Sequence, residues 1–78
     1  MMHILVAATG DLRRHLLAGE SERMVALEPG ATLGDLTSAL GASPDDAILA
    51  RRGTAVLREG AALADGDRIE LFAPVGGG

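Results

Sequence analysis

The sequence closes on Val75-Gly76-Gly77-Gly78, and the chemistry those residues can offer is that of a main-chain carboxylate. Glycine loses more conformational freedom on ordering than any other residue, so three in a row stabilise nothing by themselves. They suit a terminus that has to be thin. A tail without side chains can thread a narrow enzyme channel and present its carboxylate to a reagent such as ATP, where any Cβ would obstruct the approach. The carboxylate is then the substrate. The same glycines also read as an ordinary frayed terminus or an expression scar. What favours the first reading is the apolar strand Ile69-Glu70-Leu71-Phe72 and the Pro74-Val75 step directly before them.

Other reactive groups are sparse. There is no cysteine, hence no disulfide, no thiolate nucleophile and no cysteine-based metal site, and any sulfur chemistry must use sulfur attached to something other than a side-chain thiol. His3 and His15 lie far apart without companions at metal-ligand spacing, so they read as solvated imidazoles. Asp65-Gly66-Asp67 lacks the rest of a calcium loop and reads as a turn. No metal is expected.

Composition bounds the rest. Seventy-eight residues make one small domain, and its 47% hydrophobic content leans on Ala and Leu, with one Phe and no Trp or Tyr, so the core must be compact and aliphatic. The net charge of −4, basic runs no longer than Arg13-Arg14 or Arg51-Arg52, and the lack of Tyr and Trp for base stacking argue against a nucleic-acid partner. Met2 to Ala8 lacks the basic leader and length of a signal peptide, and no stretch reaches the ~20 apolar residues of a membrane helix. A cytoplasmic protein without a membrane partner is expected. All seven basic residues are Arg, so no side chain can accept an isopeptide bond from another copy; a genome-wide preference for Arg explains this better than selection against self-conjugation.

The elements that must hold the tail follow from pattern. His3 to Ala8 is rich in apolar and β-branched residues and is followed by Thr9-Gly10-Asp11, which predicts a central strand and a turn. Asp11 to Glu22 is irregular, with Leu12, Leu16 and Leu17 around Arg13-Arg14-His15, and suggests at most one helical turn packed on the domain edge. Arg23 to Leu27 alternates as a second strand, stopped by Glu28-Pro29-Gly30. Thr32 opens the clearest helix, of about nine residues, with Asp35 as the capping-box acid, Ala31 and Leu36 as a hydrophobic staple, and Leu33, Leu36, Ala39 and Leu40 on one face. Gly41 suits its left-handed C-terminus and Pro44 prevents continuation. Ala47 to Ala50 reads as a short buried strand, Arg51 to Thr54 as a turn, Ala55 to Leu57 as another strand, and Ala64 to Asp67 as the turn launching Arg68 to Phe72.

The order β-β-α-β-β-β predicts an α+β, β-grasp layout. A mixed sheet wraps one main helix, and the first and last strands pair in parallel through the long crossover that holds it. Residues 1–72 form the domain and 73–78 a flexible C-terminal tail.

The chain resembles the MoaD/ThiS type of ubiquitin-like sulfur carrier. The resemblance rests on Ile4-Leu5-Val6, the helix entry Ala31-Thr32-Leu33-Gly34-Asp35-Leu36, the Leu63 to Asp67 turn, and Leu71-Phe72-Ala73-Pro74-Val75 before Gly77-Gly78. It implies that an E1-like adenylyltransferase activates the Gly78 carboxylate with ATP and that a sulfur donor converts the acyl-adenylate to a thiocarboxylate. Gly78 would carry the sulfur and Gly77 would be the second thin link. ATP and the donor belong to the activating enzyme, this chain binding no cofactor and performing no catalysis of its own.

Strand parity puts Ile69 and Leu71 on one face of the last strand and Arg68, Glu70 and Phe72 on the other. If Ile69 and Leu71 meet the helix, Phe72 faces outward and, with Pro74, Val75 and the spacer Gly76, forms the surface that docks on partners and orients the tail. The alternative is a bend after Leu71 that buries Phe72 against the sheet edge. The Phe-x-Pro-Val approach resembles the molybdopterin (or tungstopterin) branch of the family, whose carrier is the small subunit of the synthase and pairs with a large subunit. Ala73 in place of a first proline, Arg52-Gly53-Thr54 in place of an Asn-Gly turn, and the extra Gly76 depart from that branch. Thiamin or another sulfur-containing product, a ubiquitin-like modifier, and a plain interaction module remain as other readings.

Overall fold

A computed structural model describes residues 1–43 and 45–74. Five strands and two helices follow the order β1 (Met2–Ala8), α1 (Gly10–Leu17), β2 (Glu22–Leu27), α2 (Leu33–Ala39), β3 (Leu49–Arg52), β4 (Ala55–Leu57) and β5 (Arg68–Phe72). The strands form one sheet in the order β2-β1-β5-β3-β4. Strands β1 and β5 lie parallel at its centre, while the β1–β2, β3–β5 and β3–β4 pairs are antiparallel. This is the predicted β-grasp arrangement, with the crossover from β2 to β5 carrying α2 and the β3–β4 hairpin.

Period-two alternation builds the core. Met2, Ile4, Val6 and Ala8 of β1 point inward, as do Ile69 and Leu71 of β5, and the register Val6↔Ile69, Ala8↔Leu71 sets the two rows side by side. Both helices cover this face: Leu16 and Leu17 of α1 and Leu33 and Leu36 of α2 are buried in the same cluster, with Leu63 from the segment before β5.

The entry of α2 is held from two directions. Asp35 N–H donates to Thr32 Oγ1 at 3.3 Å and Thr32 N–H to Asp35 Oδ2 at 2.8 Å, completing the capping box. The first helical N–H groups, which have no partner inside a helix, reach the later segment between β4 and β5 instead: Leu33 N–H donates to Ala61 O at 2.9 Å and Gly34 N–H to Glu59 O at 2.8 Å. Ala31 and Leu36, the predicted staple, are both buried. Gly41 follows the helix with φ of 88°, a left-handed geometry that glycine adopts without strain. The expectation for Pro44 lies outside the described residues.

Three expectations need correction. The segment after β1 is a full helix of eight residues, not a single turn on the edge, and Leu16 and Leu17 enter the core. Its start carries no side-chain cap and its exposed face reads Arg13-Arg14-His15, so local chemistry hides what burial of its leucines decides. Helix α2 spans seven residues, and Ala39, placed on its inner face by spacing, is exposed. At about 100° per residue Ala39 lies well off the direction that Leu33, Leu36 and Leu40 share. Strand β3 is Leu49–Arg52, shifted from the expected Ala47 to Ala50. Arg51 and Arg52 continue the strand because Glu70 and Asp67 stand opposite them, and the turn is confined to Gly53-Thr54.

Candidate functional site

Strand β5 runs from the Ala64–Asp67 turn to the root of the tail. The turn is tied to β1 by Gly66 N–H donating to His3 O and Leu5 N–H to Asp67 O, both at 2.9 Å, and by His3 N–H donating to Asp65 Oδ1 at 2.8 Å. Gly66 sits at φ of 87°, the conformation expected of it. Asp67 accepts from Ala64 N–H and from Arg52 Nη1, each at 2.8 Å. Burial pushes its carboxyl group up, but the Ala64 hydrogen bond and the Arg52 hydrogen bond and charge outweigh this, leaving its pKa below the ordinary value. The clamp joins the start of β5 to the end of β3.

At the other end of β5, Ile69 and Leu71 are fully buried and Phe72 lies on the opposite, helix-free face. It is half-buried and stands cross-strand from the exposed Leu49, so the chain does not bend to hide it. Ala73 and Pro74 follow, both exposed. Of the residues expected to bind partners, Phe72 and Pro74 therefore share one end of the sheet. Val75, Gly76, Gly77 and Gly78 lie outside the described residues.

Two residues that sequence reasoning did not assign to the site surround Phe72. The Arg51 guanidinium carbon lies 5.8 Å from the centroid of the Phe72 ring, within cation–π range. Arg51 is cross-strand from Glu70, and its Nε and Nη2 both close on Glu70 Oε1. Glu70 could have been placed here, since it shares parity with Phe72. Arg51 could not, because Arg51-Arg52-Gly53-Thr54 has the composition of a turn.

The rest of this face is charge-balanced. Arg68 Nη2 reaches Glu22 Oε2 at 3.1 Å, across β1. Between the pairs lies Ala7, buried yet outside the core cluster because it faces this outer side, flanked in register by Glu70 and Glu22. The surface is thus a sheet face carrying two ion pairs, with the apolar Phe72 and Leu49 at the end where the tail begins.

The histidines take no part in it. His3 Nδ1 stands 3.8 Å from Asp65 and His15 Nε2 3.8 Å from Asp46, and among the described residues no group of three or more His, Cys, Asp or Glu side chains could hold a metal ion. No helix of the described residues is long and apolar enough to cross a membrane.

The described residues thus bring Phe72, Leu49, Arg51 and Pro74 to one end of the sheet, and comparison with known proteins places the chain in a family. The model of the ThiS family matches residues 11–78, which takes in β5, the Phe72 end of the sheet and the glycines. The chain belongs to the ThiS family.

Membership makes it a small ubiquitin-fold protein of the sulfur-carrier or small-modifier type, as its resemblance to MoaD/ThiS carriers implied. Among curated proteins none matches the chain. Solved structures agree on the fold. Small archaeal modifier protein 1 of Haloferax volcanii is 28% identical, covering 96% of this chain and 100% of its own, with a TM-score of 0.81. A Pyrococcus furiosus protein assigned as subunit 1 of molybdopterin converting factor is 20% identical over 96% of this chain and 100% of its own, with a TM-score of 0.80. The ubiquitin of Caldiarchaeum subterraneum is 22% identical over 99% and 98%, at 0.62. At these last two identities the likeness speaks for the β-grasp fold alone.

Proposed function

We propose that this ThiS-family chain carries sulfur on Gly78 and is not itself an enzyme. The observation that carries the reading is a family match whose span, residues 11–78, takes in β5 and Gly77-Gly78. An E1-like adenylyltransferase would bring ATP to the Gly78 carboxylate; a carboxylate oxygen attacks the α-phosphorus and pyrophosphate leaves. An ionised carboxylate resists nucleophiles, whereas its mixed anhydride with AMP has a good leaving group. The terminal sulfur of a donor persulfide then attacks the carbonyl carbon and AMP departs, giving an acyl disulfide. A thiol of the donor or activating enzyme attacks the donor-side sulfur, the S–S bond breaks, and the thiocarboxylate leaves on the tail as the donor sulfur becomes part of a disulfide. Gly77, and Gly76 before it, would keep the approach free of side chains, while Phe72, Pro74 and Val75 orient it. This chemistry asks for no cysteine in the carrier, and the sequence has none.

The Phe72-Ala73-Pro74-Val75 approach supports donation in the making of molybdopterin or tungstopterin, with the large subunit of that synthase as acceptor; thiamin or another sulfur-containing product is the alternative acceptor pathway. A second reading has its own support. The relative at 28% identity is a small archaeal modifier protein, so conjugation of Gly78 to amines of other proteins competes with sulfur transfer. Both readings begin with the same adenylate. Pyrophosphate exchange into ATP by the activating enzyme, dependent on this chain and lost when Gly78 is deleted, tests that shared step.

A further inference from the structure

We infer that Arg51 is the positioning and recognition residue of the docking end, resting on the reading that Gly78 is adenylated by a partner. The tail limits where that partner can sit. Gly78 is the fourth residue after Pro74, and at about 3.3–3.6 Å per residue the carboxylate lies at most about 14 Å from Pro74. Any enzyme that closes on the Gly78 carboxylate must therefore cover the end of the sheet where β5 finishes. The side chains there are Phe72, Leu49 and Arg51.

Arg51 is built for two tasks at that end. Its guanidinium stands by the Phe72 ring and is itself fixed by Glu70, so the ring has a rigid polar neighbour on one side and leaves the rest of its surface for a partner. Glu70 is the more covered of the two, with its side chain 23% exposed against 52% for Arg51, so the anchor is shielded and the guanidinium faces outward. Nε and Nη2 are taken by Glu70, while Nη1 has no acceptor among the described residues. A planar fork with a free edge beside an apolar ring fits a partner surface of defined chemistry: an apolar recess for Phe72, with an acceptor oxygen at its rim to meet Nη1. The charge of the fork being balanced by Glu70, the contact selects by geometry and not by long-range attraction. Arg68 cannot substitute, because it lies four residues before Phe72 on β5 and is paired across β1 with Glu22.

The test is steady-state adenylation by the activating enzyme with the full chain as the varied substrate. Arg51→Met keeps the stem and removes the fork. The expected result is a KM raised about tenfold with kcat unchanged, the size of a desolvated cation–π contact plus one polar contact. Arg51→Lys, which keeps a cation beside the ring but lacks the planar fork, should recover only a small part of this, leaving KM at least about fivefold above the parent. Thermal unfolding of each variant checks that the sheet is intact. A well-folded Arg51→Met chain whose KM stays within about twofold of the parent, while Phe72→Ala raises it, overturns the role of Arg51 and leaves the carrier reading standing. Failure of the parent chain to be adenylated at all overturns the carrier reading instead.

Discussion

Gly34 donates its N–H to the Glu59 carbonyl at 2.8 Å, and a Cβ added at Gly34 would come within 2.8 Å of Glu59 Cγ. The first turn of α2 and the segment leading to β5 are thus packed at backbone distance, and the pairing Thr32↔Ala62 beside it keeps them so. This contact fixes the helix whose Leu33 and Leu36 share one buried cluster with Ile69 and Leu71, the residues that face away from Phe72 on β5.

Replacing Gly34 by Ala sets two effects against each other. Helix propensity favours Ala by about 1 kcal/mol, while overpacking costs about 1–3 kcal/mol, so Gly34→Ala should lower stability by about 1 kcal/mol in urea unfolding. The sign should reverse in a Glu59→Ala background, where Cγ no longer blocks the new methyl group. Equal effects in both backgrounds would mean the close contact is not what sets the cost.

Ala18 terminates α1 at φ of 53°, the positive-φ residue other than glycine among the described residues, and Gly19 follows at 88°. An L-residue with a Cβ pays about 1–2 kcal/mol to sit there. Ala18→Gly should therefore raise stability by about 0.5–1 kcal/mol, the strain relieved exceeding the extra chain entropy of glycine. Chemical denaturation midpoints of the two proteins measure it.

Asp67 sets an acid limit on folding. Its folded pKa is depressed, so its contribution is fully present above the ordinary carboxylate value and is lost as pH falls through the lower, folded one. Asp67→Asn should cost about 1 kcal/mol near neutral pH and flatten the fall in stability across that acid window. Urea unfolding at stepped pH resolves both effects. An unchanged slope in the variant would assign the acid limit to other carboxylates.

Phe72 faces the helix-free side, so its loss should spare the fold and damage association. Phe72→Ala should keep stability within about 1 kcal/mol of the parent, since it gives up a cross-strand contact with Leu49 and not a core one. Binding to the activating enzyme should weaken by about 2 kcal/mol, as for a central aromatic anchor. Calorimetric titration with the enzyme reads the affinity directly.

The parts of the fold legible in the sequence are those whose signals are local. Thr32 and Asp35 announce a helix start, Gly66 a turn, and the alternation from Arg68 to Phe72 fixes which side chains face the helices, and hence the position of Phe72. Helix α1 was obscured because its stability comes from burying Leu16 and Leu17 under a distant sheet, with no cap at its start and a basic exposed face. The course of β3 was obscured for the same reason in another form: Arg51 and Arg52 look like turn residues until Glu70 and Asp67, fifteen to nineteen positions away, supply partners for them. Arg51 stayed outside the candidate site because cross-strand pairing, which no local pattern encodes, is what brings it beside Phe72.

The measurement that bears most directly on the central claim is the intact mass of the chain after incubation with its activating enzyme, ATP and a sulfur donor. Carrier function predicts one oxygen replaced by sulfur, confined to Gly78 and lost when Gly78 is removed. Recovery of only unmodified chain, or of chain joined by an amide to other proteins with no thiocarboxylate formed, would contradict it.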